Sequence, residues 1–430
     1  MFKFLHAADL HLDSPMLRLG QYDDAPAELL RTATRQAVTR LVDVAIAERV
    51  AFVLISGDIY DGDWDDVRTG LFMVQQYARL REAQIPVFVI AGNHDAITKM
   101  TYNVTLPSNV TFFGHQKPAT HRLEHLDVAI HGQSFSRQTV RENLASGYPE
   151  PVANCFNIGL LHTSLDGREG HATYAPCSVA DLTERGYDYW ALGHIHTREI
   201  VAKNPWIVFP GNIQGRNVRE TGERGVMLVT VDDSRPAAGR VTVEFRPVDV
   251  VRWERVPLDA AAVATPEALQ EQWREKLIEL RRQHAEMPLA VRAVVQGTCD
   301  YHVALVGQQS TWESNLRAIA QDVGRDELWV EKIKFATQPR RTTTASSELD
   351  GPLAEVSRII ETLLSDEQQL AAIQEELSEV RDKLPRDLRE GQDAWELMQV
   401  SGVRQLLAEI EPLLQLRLNA AGDESERSGR

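Results

Sequence analysis

Two rhythms of apolar residues divide the chain. Through its first half, short β-branched or aromatic runs stop at polar loops, and stretches of helical spacing separate the first three. The runs Phe2–Ala8, Ala51–Ser56, Pro86–Ala91, Phe156–Leu161 and Tyr187–Leu192 predict strands, and the stretches 26–48 and 65–83 predict helices. Strands that alternate with helices imply crossovers in a layered α/β fold. Trp206–Phe209, Gly225–Val231 and Arg240–Phe245 follow with no helix between them, and predict a second, antiparallel run that completes a sandwich of sheets.

Past residue 250 the order becomes strand (251–257), helix (266–284), strand (289–296), helix (312–321) and strand (328–335), a compact αβ unit of its own. The polar stretch from Gln338 to Ser347 reads as a linker. A tail follows with Ile359, Ile360, Leu363, Leu364, Leu370, Ile373 and Leu377 at helical spacing. Pro385 interrupts it, and Leu397, Val403, Leu406, Leu407, Ile410, Leu413 and Leu414 form a second stripe. Two such helices imply a partner for their apolar faces, with packing back onto the parent chain as the alternative. The expected organisation is a large domain over residues 1–249, a small αβ domain over 250–337, a linker over 338–349, a helical region over 350–421 and a disordered tail over 422–430.

Composition narrows the class. A chain of 430 residues exceeds what one core usually organises, and 43% hydrophobic with 25% charged residues is ordinary for a globular protein. The N-terminal apolar run is too short for a signal peptide and meets Asp9 at once, and no later apolar stretch approaches the roughly 20 residues needed to cross a bilayer. A cytoplasmic protein without a membrane segment is expected. Three cysteines, Cys155, Cys177 and Cys299, with no Cys-x-x-Cys pair, support neither a disulfide framework nor a structural zinc site. The net charge of −16 argues against coating nucleic acid by simple electrostatics, but residues 350–430 hold nine Lys and Arg against eighteen Asp and Glu. Over half of the excess therefore lies in the tail, away from the candidate chemistry.

That chemistry sits where the predicted strands stop. The first run ends in Asp9-Leu10-His11, whose i and i+2 residues would point to one side of an extended segment. The second ends in Gly57-Asp58, where glycine permits close backbone approach and the carboxylate can bridge two cations. The others end in Gly92-Asn93-His94-Asp95, His162 and Gly193-His194-Ile195-His196. A single histidine after a strand is ordinarily a hydrogen-bonded core or loop residue. Five segments with metal-ligand chemistry at the same end are hard to obtain that way, and ligands gather at the carboxyl ends of strands in open α/β sheets. The set Asp9, His11, Asp58, Asn93, His162, His194 and His196 contains no thiolate, which suits Mn²⁺ or Fe²⁺ and tolerates Zn²⁺. Two such ions about 3.5–4 Å apart clamp the attacking and leaving oxygens of a displacement at phosphorus.

With these motifs in this order, the sequence resembles the calcineurin-like metallophosphoesterase superfamily over about Met1 to Asp232. Phe4-Leu5-His6-Ala7-Ala8-Asp9-Leu10-His11-Leu12-Asp13, Gly193-His194-Ile195-His196 and Phe209-Pro210-Gly211-Asn212 resemble the SbcD-type DNA repair exonucleases, especially their YhaO-like branch. The resemblance implies a four-layer sandwich of two mixed β-sheets flanked by helices, with the αβ unit laid out like those enzymes' DNA-capping domain. It implies that Asp9, His11 and His196 hold one metal and Asn93, His162 and His194 the other, with Asp58 bridging. It further implies that His94 is the acid at the leaving oxygen and Asp95 its orienting partner. The chain departs from the pattern at Asp61, where many of these exonucleases carry a histidine.

The function expected is a Mn²⁺-dependent DNA nuclease of DNA repair or processing, an exonuclease first and an endonuclease second. The resemblance adds an SMC-like, SbcC-type ATPase that grips the C-terminal helices, and a homodimer is compatible with it. Candidate DNA contacts are Arg198, Arg216, Lys332 and Lys334, with Arg137, Arg141, Arg219, Arg340 and Arg341 as further cations. The alternatives are a phosphodiesterase or phosphatase for nucleotides or other small phosphate esters, and a scaffold of the same fold without chemistry. A scaffold predicts missing ligands, and none is missing.

Overall fold

The computed structural model describes residues 1–14, 26–61, 67–96, 105–167, 173–236, 239–340 and 352–383, together with 402–404, 406, 407, 410 and 414. It divides into two compact units. The first comprises Met1–Arg255, His284–Val291 and Asp326–Glu331, and the second comprises Val256–Gln283, Arg292–Arg325 and Lys332–Arg430.

The first unit begins with β1 (Phe2–Ala7), α1 (Ala27–Ala47), β2 (Phe52–Ser56), α2 (Val67–Glu82), β3 (Val87–Ile90) and β4 (Val110–Phe112). It continues with β5 (Ala119–Leu123), β6 (Val128–Gly132), β7 (Phe156–His162), α3 (Val179–Glu184), β8 (Tyr189–Gly193), β9 (Glu199–Lys203), β10 (Trp206–Phe209), β11 (Gly225–Val231) and β12 (Val241–Pro247). One sheet has the order β12-β11-β1-β2-β3-β4, the other β5-β6-β7-β8-β10-β9. Strands β1 to β4 are mutually parallel, as are β6, β7, β8 and β10, so their carboxyl ends share an edge within each sheet. The three strands expected to form one antiparallel run are split. β11 and β12 extend the first sheet beside β1, whereas β10 lies parallel to β8 in the second.

Both faces of the central strands are covered, which is why their sequences are apolar without alternation. Leu5, Val53, Ile55, Val87 and Val89 face α1 and α2, meeting Val38, Leu41, Ala45, Met73, Tyr77 and Leu80 at helical spacing. Their neighbours Phe4, Phe52, Leu54, Phe88 and Ile90 point the other way, onto Val128, Ile130, Ile158, Leu160 and Tyr189 of the second sheet. Phe4 and Phe52 stack with ring centroids 5.0 Å apart. Burying each such ring stabilises the sandwich by roughly 1.5–3 kcal/mol. On the far side of the second sheet, Leu161, Trp190, Leu192 and Phe209 pack with Leu182 of α3. α3 starts in a full capping box, with Ser178 and Asp181 each satisfying the other's backbone N–H. The result is the expected α/β sandwich of four layers.

β13 (Arg252–Asp259), β14 (Leu289–Cys299) and β15 (Leu328–Pro339) make a third sheet in that order. β15 runs four residues beyond the expected end of its strand, into the stretch read as linker; residues 341–350 lie outside the described residues. In the second unit, α4 (Pro266–Gln283) and α6 (Gln309–Gly324) are joined where the buried Trp273 indole donates to the Leu316 carbonyl at 2.9 Å. α5 (His302–Gly307) is tied down by His302, whose Nδ1 lies 2.8 Å from Thr337 Oγ1. α7 (Pro352–Ser365) and α8 (Glu367–Lys383) occupy the first apolar stripe of the tail. Asp366 separates them by accepting from the backbone N–H groups of Gln368 and Gln369. Leu370 and Val403 are fully buried, while Ile359 is half exposed. Pro385 and the expected tail over 422–430 lie outside the described residues. No helix among the described residues is long and apolar enough to cross a membrane.

Candidate metal centre

The loops after β1 and β2 run side by side. Asp9 N–H donates to the Gly57 carbonyl, His11 N–H to that of Asp58, and Leu12 N–H to that of Ile59, at 3.1, 3.0 and 2.8 Å. The segment from Asp9 to His11 is not extended, contrary to the i and i+2 reading. Asp9 (φ 52°), His11 (φ 42°), Asp58 (φ 52°) and His194 (φ 99°) all sit at positive φ. Residues held there cost of order 1–3 kcal/mol each and persist only where the surroundings fix them. One such constraint is visible: His194 N–H donates to both Asp9 carboxylate oxygens at 3.1 Å.

Close approach between the two sheets explains the glycines. A Cβ on Gly57 (φ 94°) would stand 2.6 Å from His162 Nδ1 and 2.9 Å from Gly92 N. One on Gly92 would meet the Asp58 carboxylate and the His162 ring, and one on Gly193 the Ser56 carbonyl. These positions leave room only for hydrogen because ligand side chains and neighbouring backbone occupy the rest.

The side chains converge on either side of the Asp58 carboxylate. His162 Nδ1 lies 2.9 Å from the Ser56 carbonyl, which can only accept, so Nδ1 carries the proton and Nε2 presents a lone pair. That lone pair faces Asn93 Oδ1 at 2.9 Å and Asp58 Oδ2 at 3.5 Å, and Asn93 Oδ1 lies 3.1 Å from His194 Nδ1. On the other side, His196 Nδ1 lies 2.7 Å from the Glu220 carboxylate, leaving its Nε2 lone pair 3.1 Å from His11 Nε2. Asp9, His11 and His196 form one set of mutually close donors, Asp58, His162 and His194 another, and His11, Asp58 and His94 a third that overlaps both. Asp58 Oδ2 stands between the first two, 3.8 Å from His11 Nε2 and 3.5 Å from His162 Nε2. Acceptors and lone pairs crowded together with so few protons to share fit divalent cations, and the N and O donors suit Mn²⁺, Fe²⁺ or Zn²⁺.

Charge supports the same reading. Burial, reinforced by the Asp58 charge, pushes the Asp9 carboxyl well above the usual carboxylate range. Burial and Asp58 likewise raise Asp95 to about 7. Burial, with help from the Arg216 charge, lowers His11 to about 3, and burial also lowers His162. Neutral imidazoles and strained carboxylates are the state a cation relieves, since it replaces the missing countercharge.

His94 stands at the rim with its Nδ1 2.6 Å from Asp61 Oδ1. Burial pulls its pKa down, but Asp61 and then Asp58 outweigh it, so the imidazole titrates above its ordinary value. Asp61 also accepts from Ser14 Oγ at 2.5 Å and lies 3.4 Å from the Arg216 guanidinium. Asp95, expected to orient His94, does something else. Its carboxylate accepts from Gly92 N–H at 2.6 Å and Ile59 N–H at 2.8 Å, clipping the loops after β2 and β3 together. Consecutive residues in this tight turn face opposite ways, so chain adjacency misassigns the partner.

The expected cations separate. Arg216 reaches the centre, between Asp61 and Glu220. Arg198 instead lays its guanidinium 3.7 Å from the centroid of the Phe245 ring. Arg137 pairs with Glu142, and Arg219 is exposed. Lys332 and Lys334 are exposed on β15, Arg340 pairs with Asp300, and Arg341 lies outside the described residues. Sequence reasoning missed Glu220 and Arg224, which with Asn212 surround His196; a glutamate in a polar loop carries no spacing signal. It also missed Phe135, whose ring packs edge-on beneath His162 with centroids 5.3 Å apart, and Tyr174, edge-on to His194 at 5.4 Å.

The calcineurin-like phosphoesterase family profile matches residues 2–198, and that of the metallophosphoesterase YhaO middle domain matches residues 253–338. The chain is 34% identical over 336 residues to the uncharacterized metallophosphoesterase YhaO of Bacillus subtilis, covering 77% of this chain and 80% of that protein. It is 24% identical over 265 residues to the DNA double-strand break repair protein Mre11 of Sulfurisphaera tokodaii, covering 58% of this chain and 65% of that protein. With the Mre11 of Methanopyrus kandleri it shares 22% identity over 386 residues, 82% of this chain and 74% of that protein. Donor groups carried on the strand ends of a two-sheet sandwich, and a relative at this identity along most of its length, place the chain in the calcineurin-like metallophosphoesterase family.

Proposed function

We propose that this metallophosphoesterase cleaves DNA with two divalent ions, Mn²⁺ first among them, acting as an exonuclease and secondarily as an endonuclease in cytoplasmic DNA repair or processing. The observation that carries the reading is the pair of donor groups meeting at Asp58. Its DNA specificity is supported by similarity to proteins named for double-strand break repair. Asp9, His11 and His196 would hold one ion, Asn93, His162 and His194 the other, and Asp58 both. When bound, the pair supplies Lewis-acid stabilisation of charge at phosphorus and a hydroxide nucleophile at neutral pH.

The chain's own groups do the rest. Asp61 holds the Nδ1 proton of His94, leaving Nε2 to give a proton to the departing 3′ oxygen. Arg216 offers a guanidinium to the phosphate and keeps Asp61 and Glu220 in place. Asp95 fixes the two loop backbones rather than the proton donor. Arg198, Lys332 and Lys334 are proposed as contacts to the DNA backbone, and the helices from Pro352 onward as the surface for an SMC-like ATPase. Residues 1–249, 250–337 and 350–421 would then correspond to catalysis, DNA capping and ATPase binding.

The test uses the full chain with Mn²⁺ and end-labelled single- and double-stranded DNA, with and without the ATPase, beside a small model diester. Cleavage of both substrate types, abolished in Asp58→Ala and His94→Ala, is expected. Cleavage of the diester but never of DNA would replace this reading with an enzyme for small phosphate esters.

A further inference from the structure

We infer that Glu220 is a positioning residue for the metal centre: it fixes the tautomer and orientation of His196 so that Nε2 is presented to the ion. The inference rests on the metal reading above and names a residue outside its ligand set.

Glu220 is almost fully buried, and the groups around its carboxylate are donors. Oε1 lies 2.7 Å from His196 Nδ1 and accepts from the Arg216 guanidinium at 3.3 Å. Oε2 accepts from Arg216 N–H at 2.8 Å and from Asn212 Nδ2 at 3.0 Å. A carboxylate so surrounded only accepts, so the proton of His196 resides on Nδ1. The guanidinium 3.4 Å from that same Nδ1 therefore has no lone pair to meet there, and its bond goes to Glu220.

The same segment holds the His196 backbone. Arg224 donates to the His196 carbonyl and to Asn212 Oδ1, and Asn212 N–H donates to the His196 carbonyl at 3.3 Å. Gly211, at φ 77°, passes so close that a Cβ would stand 2.7 Å from that carbonyl, and a Cβ on Gly215 would stand 2.6 Å from the Glu220 carbonyl. The contrast with His162 is informative, because its Nδ1 is held by a neutral backbone carbonyl. A carboxylate makes the imidazole a more basic ligand, and removing such partners typically weakens metal binding about 10- to 100-fold. In Glu220→Gln one amide oxygen cannot serve donors on both sides, and the amide NH₂ must face either His196 Nδ1 or the Arg216 and Asn212 donors. The tautomer is no longer imposed.

Mn²⁺ titration of the full chain, read by the electron paramagnetic resonance of free Mn²⁺, separates the outcomes. Wild type binding two ions, with Glu220→Gln weakened about 10- to 100-fold at one and unchanged at the other, is the expected result. Unchanged affinity at both in Glu220→Gln overturns the inference, as does equal weakening at both, which marks a general structural defect. Wild type binding no ion sinks the metal reading itself, a different failure. Long-range ¹H–¹⁵N spectra of histidine-labelled, metal-free wild type need no variant. A proton on His196 Nδ1 supports the assignment, and one on Nε2 alone overturns it.

Discussion

Gly57→Ala puts the packing of the centre to a quantitative test. Two costs add at this position. The backbone at φ 94° strains any residue with a Cβ, by about 1–2 kcal/mol. The new methyl also stands 2.6 Å from His162 Nδ1 and 2.9 Å from Gly92 N. Backbone cannot yield as the tip of a long side chain would, so overpacking adds about 1–3 kcal/mol. The sum, roughly 2–5 kcal/mol, corresponds to a fall in Tm of about 4–20 °C for a domain of this size. Two controls resolve the components. Gly167 has φ 84° and nothing within 4 Å of its would-be Cβ, so Gly167→Ala carries the strain without the clash. Gly114 is exposed with nothing near and no such φ, so Gly114→Ala stays within about 0.5 kcal/mol of wild type. Melting of the three variants by circular dichroism, with Mn²⁺ affinity measured alongside, gives the ranking. If Gly57→Ala melts with Gly167→Ala and keeps both ions, the sheets are not packed against His162 as described.

The two carboxylates near His94 are predicted to fail differently. Asp61→Ala lowers kcat on a model diester by a large part of the 10²- to 10⁴-fold loss expected for His94→Ala. Asp95→Asn strands buried backbone donors and lowers stability by about 1–3 kcal/mol, so a thermal melt reports it before a rate does. His6 gives a pH dependence. It is buried against Tyr189, Ser56 and the Leu192 carbonyl, and burial lowers its pKa from 6.5 to about 3. As pH falls below 6.5 the unfolded chain takes up the proton first, so stability is lost between pH 6.5 and about 3, amounting to roughly 2.7 kcal/mol by pH 4.5. His6→Gln flattens the slope of unfolding free energy against pH between 6 and 4.5, measured in urea; an unchanged slope assigns the acid sensitivity to other groups.

The strands that carry donors were legible because each is covered on both faces, which writes an unbroken apolar run ending in a polar motif. β5 and β6 were not, since β5 is largely exposed and β6 is interrupted by His131, which is satisfied by Thr120 and Asn157 rather than by apolar packing. The assignment of β10 and β11 to different sheets depends on partners far away in the chain, where local pattern is silent. Within the site, the donor types could be read from sequence, but not the geometry that presents them. Asp9 and His11 converge through left-handed backbone instead of a pleat, and His94 finds its carboxylate across the loops at Asp61 instead of beside it at Asp95. Glu220 became visible only through its distance to His196.

Seven side chains on five strand ends are proposed to hold two ions around Asp58. Anomalous scattering from crystals grown with Mn²⁺ tests it directly. Two peaks are predicted, one among Asp9, His11 and His196 and one among Asn93, His162 and His194, both within reach of Asp58 and both missing in Asp58→Ala crystals. A single peak, or peaks away from these residues, would contradict it.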